Sequence, residues 1–236
     1  MNIQEKTPMS YVFTPPAITA LPVRGSDALF PVRRVYCVGR NYAAHAIEMG
    51  GDPDKEPPFF FQKNPDNLVP GDGSFPYPSG TSDVHHEIEL VAFLSKGGEN
   101  IPVGKALDHV FGYAVGLDMT RRDLQAEAKK LGRPWEVGKA FEHSAPCGEV
   151  VPAAEIGHPQ SGAIWLKVNG NMVQEGDLNQ LIWKVPGTIA YLSGLFRLAP
   201  GDAIMTGTPS GVGPVKRGDV LEGHIDGVGD LKVTVA

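Results

Sequence analysis

The sequence predicts a mixed α+β fold, rich in short strands, and three observations carry that reading. Of 236 residues, 29 are glycine and 21 are proline, about a fifth of the chain where roughly 12% is usual. So many breakers at no regular spacing exclude a helical bundle or coiled coil. An apolar content of 42% and a net charge of −6 exclude a disordered chain. Residues 82–95 (SDVHHEIELVAFLS) alternate with period two, as a strand does. Asn169-Gly170, set between two strand-like runs, is a strong hairpin signal.

The elements follow in chain order. Residues 1–32 are Pro-rich and weakly periodic, which reads as an arm or short edge strands. No shift in composition divides residues 33–236, so they read as one domain. Residues 35–39 (VYCVG) are a buried strand. Residues 41–49 contain no breaker and stop at Gly50-Gly51, a short helix. Residues 57–63 (PPFFFQK) form a strand, and 64–80 are turns. After the strand at 82–95 comes a more apolar one at 110–117, ending at Asp118. Residues 120–131 (TRRDLQAEAKKL) are a helix with Thr120 as N-cap, Asp123 in its first turn and Gly132 as its stop. Residues 163–169 and 171–175 make the hairpin. Residues 186–198 are a helix with Ile189, Leu192, Leu195 and Phe196 on one face. Gly-rich turns then lead to a final strand at 230–235.

Bulk properties narrow the function. The pI is near 5.6, and no Lys/Arg cluster exceeds two or three residues, so nucleic acid is not expected as a partner. No apolar stretch approaches the ~20 residues that span a bilayer, and no leader pattern is readable; the chain is expected to be soluble and cytoplasmic. Cys37 and Cys147 read as free, partly buried thiols of a reducing compartment.

The chemistry concentrates in a few places. On a continuous strand Glu87 and Glu89 face one side, roughly 7 Å apart. Two like charges entering an apolar run persist if a cation neutralises them or one carboxyl keeps its proton; the alternative is a solvated edge strand. Oxygen ligands without thiolates suit Mg²⁺, Mn²⁺ or Ca²⁺. Asp118, at the end of an apolar strand, reads as a third carboxylate of that group, as a cap for the next helix, or as both. His45 and Glu48 share a helix face at i, i+3. They form either a water-activating dyad, on a helix that the glycines let move, or an ordinary surface ion pair. Lys139 sits in the apolar, Gly-flanked run 137–141, where it would meet developing negative charge, and Arg122 would clamp a carboxylate. Gln125 accompanies them, whereas Arg121, Lys129 and Lys130 read as a solvated helix face. The Gly-rich run 205–213 fits neither a phosphate loop nor a dinucleotide fingerprint. Its amides and the Thr206 and Thr208 hydroxyls either bind a carboxylate or make a structural turn. His85, His86 and His143 read as supporting groups, since zinc-ligand spacing is absent.

Together these segments resemble the fumarylacetoacetate hydrolase family from about Arg33 to Val235. The motifs are GRNYAAHAIE (39–48), PFFFQK (58–63), HEIELV (86–91), GLDMTRRDLQ (116–125), PW through GK (134–139) and TGTPSGVG (206–213). The resemblance implies a catalytic domain at 33–236, built as a β-roll of mixed sheets with a few peripheral helices. It implies Mg²⁺ or Mn²⁺ on Glu87, Glu89 and Asp118, with Ca²⁺ able to replace them in crystals. His45 and Glu48 are implied as the catalytic dyad on a lid, and Lys139 as the group that holds a pyruvate enolate. Arg122, Gln125, Thr206 and Thr208 are implied contacts to a small diketo acid. A homodimer with neither nucleic-acid nor membrane partner is also implied. Within the family, the short chain and the run 36–61 look most similar to fumarylpyruvate hydrolases of gentisate catabolism, which cleave the C–C bond of 3-fumarylpyruvate to fumarate and pyruvate. Acylpyruvases, oxaloacetate decarboxylases and related isomerases and hydratases share the same site motifs.

Overall fold

The computed structural model describes residues 10–43, 57–71 and 73–236. The dyad residues His45 and Glu48, and Gly50-Gly51 after them, lie outside the described residues.

The short apolar runs pair into one large mixed sheet. Its strands lie in the order Phe59–Lys63, Arg34–Gly39, Asp202–Met205, Ile88–Leu94, Val110–Leu117, Ala145–Cys147 and Leu68–Pro70, and Val151–Pro152 also pairs with Val110–Leu117. Asp202–Met205 runs parallel to Arg34–Gly39 and antiparallel to Ile88–Leu94, so the first and last thirds of the chain meet at the sheet's centre. A second sheet contains the expected hairpin, Ala163–Val168 with Asn171–Asp177, followed by Val220–Ile225, Gly229–Val235 and Gly73–Phe75. The architecture is the mixed, strand-rich one expected, curled into a half-barrel with few helices.

The two sheets pack face to face. Ile164, Leu166, Leu221, Ile225 and Leu231 meet Ile88, Leu90, Val115 and Leu117 in one core. The reverse face of the large sheet carries a second core: Val35, Cys37, Val91, Phe93 and Met205 are covered by Leu21 and Phe30 of the two-stranded ribbon Ala20–Pro22/Leu29–Pro31. Fully burying one such side chain stabilises the fold by roughly 1.5–3 kcal/mol. This double coverage explains why Ile88–Leu94 is buried along its whole length. Alternate residues serve different cores, so polar–apolar alternation fades where the strand becomes central. Cys37 and Cys147 are free and buried, and burial pushes the Cys147 thiol up to about 12.

Two expectations are corrected. The run 82–95 is not one strand: Val84–His86 pairs with Thr120–Arg121 and Gly213–Pro214 in a small separate sheet, and Ile88–Leu94 belongs to the large one. The break falls at Glu87. Thr120 is not a helix cap: it lies in the two-residue strand opposite His85, and the helix runs Arg122–Leu131 with Arg121 before it. Strand pairing took Thr120 because its hydroxyl has a buried partner elsewhere. Asp123 does occupy the first turn, holding the Thr81 hydroxyl at 2.7 Å.

Gly112 marks a close approach between the backbones of neighbouring strands, where an added Cβ would fall 2.2 Å from the Val151 carbonyl oxygen. Backbone cannot yield there as a side-chain tip does. Gly112→Ala is expected to cost about 1–3 kcal/mol, a fall in Tm of roughly 2–4 °C per kcal/mol for a domain of this size, measured by thermal unfolding.

Candidate active site

The break in the strand at Glu87 builds the site. It leaves Glu87 between two sheets while Glu89 stays in the large one, and the Asp118 N–H donates to the Glu87 carbonyl at 2.8 Å. Asp118 follows the last residue of Val110–Leu117, the antiparallel neighbour of Ile88–Leu94. Carboxylate oxygens of Glu87, Glu89 and Asp118 all lie within 4.8 Å of one another, and all three residues are buried. Burial excludes the edge-strand reading of the glutamates, and the next helix begins at Arg122, preceded by Arg121 with no side-chain cap, so Asp118 does not cap it.

Three cations hold this cluster. The Lys139 ammonium, on the single turn Glu136–Lys139, lies 2.9 Å from Glu87 Oε2 and 2.7 Å from Asp118 Oδ2, and donates to the Thr120 hydroxyl at 2.7 Å. Burial works against its charge, but Asp118 and Glu87 outweigh that, and its pKa is raised. Lys63, at the end of Phe59–Lys63, reaches Asp118 Oδ1 at 2.8 Å and the Ser144 hydroxyl at 3.0 Å, and donates to the Lys139 carbonyl. Arg122 contacts Glu87 Oε1 at 2.5 Å and Gln125 Oε1 at 2.6 Å. Glu89 accepts the Gly207 N–H at 2.8 Å. Burial first, then Asp118 and Glu87, push its carboxyl well above the usual range.

These residues fit a divalent ion. The donors are hard oxygens converging on one point, and the burial and like-charge repulsion that raise the Glu89 carboxyl are what a bound cation relieves. With all three carboxylates ionised, Lys63, Lys139 and Arg122 make the cluster formally neutral, so a divalent ion leaves it with a surplus of positive charge.

The cluster opens into a narrow cleft, lined also by Arg40, Phe61, Lys129, Trp135, Gly207 and Thr208. Six of the sequence candidates meet there with Thr208: Glu87, Glu89, Asp118, Arg122, Gln125 and Lys139. Thr206 lies behind the wall, its hydroxyl donating to the Leu90 carbonyl at 2.9 Å. Lys129 departs from the solvated face expected of it: it is half-buried in the cleft with its ammonium 5.0 Å from the Trp135 ring.

Three supporting residues escaped the sequence reading. Lys63 had a faint signal, since strand alternation puts it on the same face as Phe59 and Phe61. Gln174, on the hairpin, had none. Its Oε1 accepts from His86 Nδ1 at 2.9 Å and from the Ile88 N–H at 3.2 Å, and its Nε2 donates to the Thr208 hydroxyl and the Pro209 carbonyl at 2.8 Å. It thus fixes both Glu87-flanking strands to the Gly-rich turn. Asn41 clamps the same turn: its Nδ2 donates to the Thr206 and Trp183 carbonyls, and its Oδ1 accepts from the Trp183 N–H. Gly207 has φ of 98°, and a Cβ there would lie 2.8 Å from the Asn41 Cβ. Only glycine lets its N–H face Glu89 in that position.

Residues 34–236 match the family model described as fumarylacetoacetate (FAA) hydrolase C-terminal. The chain belongs to the fumarylacetoacetate hydrolase family. Among solved structures, the fumarylpyruvate hydrolase of Pseudomonas aeruginosa in complex with Mn²⁺ and pyruvate is 56% identical, with a TM-score of 0.95 over 96% of this chain and 99% of that one. The mitochondrial oxaloacetate tautomerase of Mus musculus is 44% identical over 86% of this chain and 91% of its own. The mitochondrial oxaloacetate decarboxylase of Dictyostelium discoideum is 42% identical over 83% and 90%. Within this family the chain therefore has both C–C-cleaving and tautomerising relatives.

Gln174→Leu should leave buried donors and acceptors unpaired on both sides. The expected loss is at least about 2 kcal/mol in unfolding free energy, read by denaturant titration. Gln174→Glu, which keeps the acceptor and loses the donor, should fall between this variant and the parent.

Proposed function

We propose that this protein is a divalent-metal-dependent acylpyruvate hydrolase that cleaves 3-fumarylpyruvate to fumarate and pyruvate, a step of gentisate catabolism. The observation that carries the reading is the buried oxygen-only cluster of Glu87, Glu89 and Asp118, with Lys139 against Glu87 and Asp118. The extent of likeness to a fumarylpyruvate hydrolase holding Mn²⁺ and pyruvate supports it.

Glu87, Glu89 and Asp118 would hold Mg²⁺ or Mn²⁺, which when bound supplies a Lewis acid for the 2-oxo carboxylate end of the substrate. Arg122, Gln125 and Thr208, on the cleft wall, orient that end. His45, oriented by Glu48, takes a proton from water, and the water oxygen bonds to the acyl carbonyl carbon. The C–C bond to the pyruvyl methylene then breaks, its electron pair stays on the pyruvyl fragment as an enolate, and the proton on His45 returns to that carbon. Lys139 meets the enolate charge from a position where burial and neighbouring carboxylates keep it protonated. The surplus positive charge of the loaded cluster suits a dianion.

The oxaloacetate tautomerase and decarboxylase relatives favour a second reading, in which the same cluster acts on oxaloacetate and no water is activated. A substrate panel separates the two. With Mn²⁺ present, fumarylpyruvate should yield fumarate and pyruvate one to one by chromatography. Glu89→Gln should lose more than about a hundredfold in kcat/KM. Turnover of oxaloacetate with fumarylpyruvate and other acylpyruvates left intact would overturn the hydrolase reading in favour of the second.

A further inference from the structure

The helix Arg122–Leu131 presents Arg122, Gln125 and Lys129 to the same cleft. Their i, i+3, i+7 spacing places them in a row along one helix face. Arg122 touches the carboxylate cluster through Glu87. Lys129 stands two turns further on, about 10 Å along the axis. Its ammonium lies over Trp135, whose ring packs between Phe59 and Phe61 at centroid distances of 5.1 and 5.8 Å. Arg40 lines the same cleft, with its guanidinium 5.8 Å from the Phe59 ring. No carboxylate among the described residues forms an ion pair with Lys129. This contrasts with the outer face of the helix, where Arg133 pairs with Glu127. A half-buried ammonium with apolar walls, in a cleft already holding other cations, is costly until an anion enters. Burial, then Arg122 and Arg40, pull its pKa down to about 8, in accord with that cost.

We propose that Lys129, with Arg40, forms the site for the far carboxylate of a long dianionic substrate, and that its two-turn separation from Arg122 makes the helix a ruler for substrate length. The inference rests on the reading that a 2-oxo carboxylate sits at the metal cluster, and it adds what recognises the other end. An extended seven-carbon chain separates its terminal carboxyl carbons by about 7–8 Å, and a four-carbon chain by about 4 Å, at bond lengths near 1.5 Å. With hydrogen-bond reach added at each end, the longer chain matches the two-turn spacing of about 10 Å, and the shorter one falls short of it. Fumarylpyruvate has that length; oxaloacetate does not.

The test uses binding, so it does not depend on hydrolysis. Calorimetry on the Mn²⁺-loaded protein would follow pyruvate and the saturated 2-oxo dicarboxylic acids of four to seven carbons. Affinity is expected to rise with length to the seven-carbon acid. Lys129→Met should weaken that acid about tenfold or more, the range for a hydrogen bond to a charged group, while changing pyruvate and the four-carbon acid less than twofold. Lys129→Arg should retain most of the length preference, and Lys130→Met, on the exposed face, all of it. A flat series in the parent, or equal weakening of every ligand by Lys129→Met, overturns the proposal. A length preference that depends on Lys129, in a protein that fails to hydrolyse fumarylpyruvate, supports this inference and refutes the hydrolase reading alone. No binding by any member, pyruvate included, overturns both.

Discussion

Three carboxylates within 4.8 Å of one another, all buried, repel each other and have lost their water. Burying even one unpaired charge costs several kcal/mol, so the fold must supply compensating charge from close range. It does so from three separate elements: Lys63 from the edge strand of the large sheet, Lys139 from a single helical turn, and Arg122 from the first turn of the preceding helix. Each is also tied to its own surroundings. Lys63 is anchored by Ser144 and the Met119 and Lys139 carbonyls, and Lys139 by Thr120. The cluster therefore joins the sheets, both helical segments and the Gly-rich turn into one electrostatic unit.

That unit explains features that otherwise look unrelated. The strand must break at Glu87 so that its carboxylate can turn toward Asp118, and Thr120 must leave the helix so that its hydroxyl can accept from Lys139. Gly207 must be glycine so that its N–H can serve Glu89 beneath Asn41. Gln174 brings the second sheet into the same arrangement by holding both the Ile88 N–H and Thr208. In each case a local rule of secondary structure yields to a buried polar group that needs a partner.

This is also why the sequence was legible to different depths. Strand content, the Asn169-Gly170 hairpin and the helix ending at Gly132 follow from local turn and helix chemistry, which a sequence displays directly. The acidic trio and its basic neighbours were legible because charges inside apolar runs demand an explanation. Lys63 and Gln174 were not, because their roles arise from pairings across the sheets. Lys129 departs from expectation for a related reason. Its helix face looks polar in sequence, and only the placement of Trp135 turns that face into a cleft wall. The double-sided burial of Ile88–Leu94 hid the break beside it, since period two disappears once both faces are covered.

The relatives of this chain include enzymes named as a hydrolase, a decarboxylase and tautomerases. On the proposed reading, the cluster and Lys139 serve the enolate chemistry and the outer cleft serves the choice of substrate. All of this depends on the cluster being a metal site. The most direct test is a Mn²⁺ titration followed by electron paramagnetic resonance on the parent protein and on Glu89→Gln. The account predicts one ion bound per chain by the parent, with binding sharply weakened in the variant and unfolding temperatures of the two apo proteins within a few degrees. Equal Mn²⁺ binding by parent and variant, or none by the parent, would contradict it.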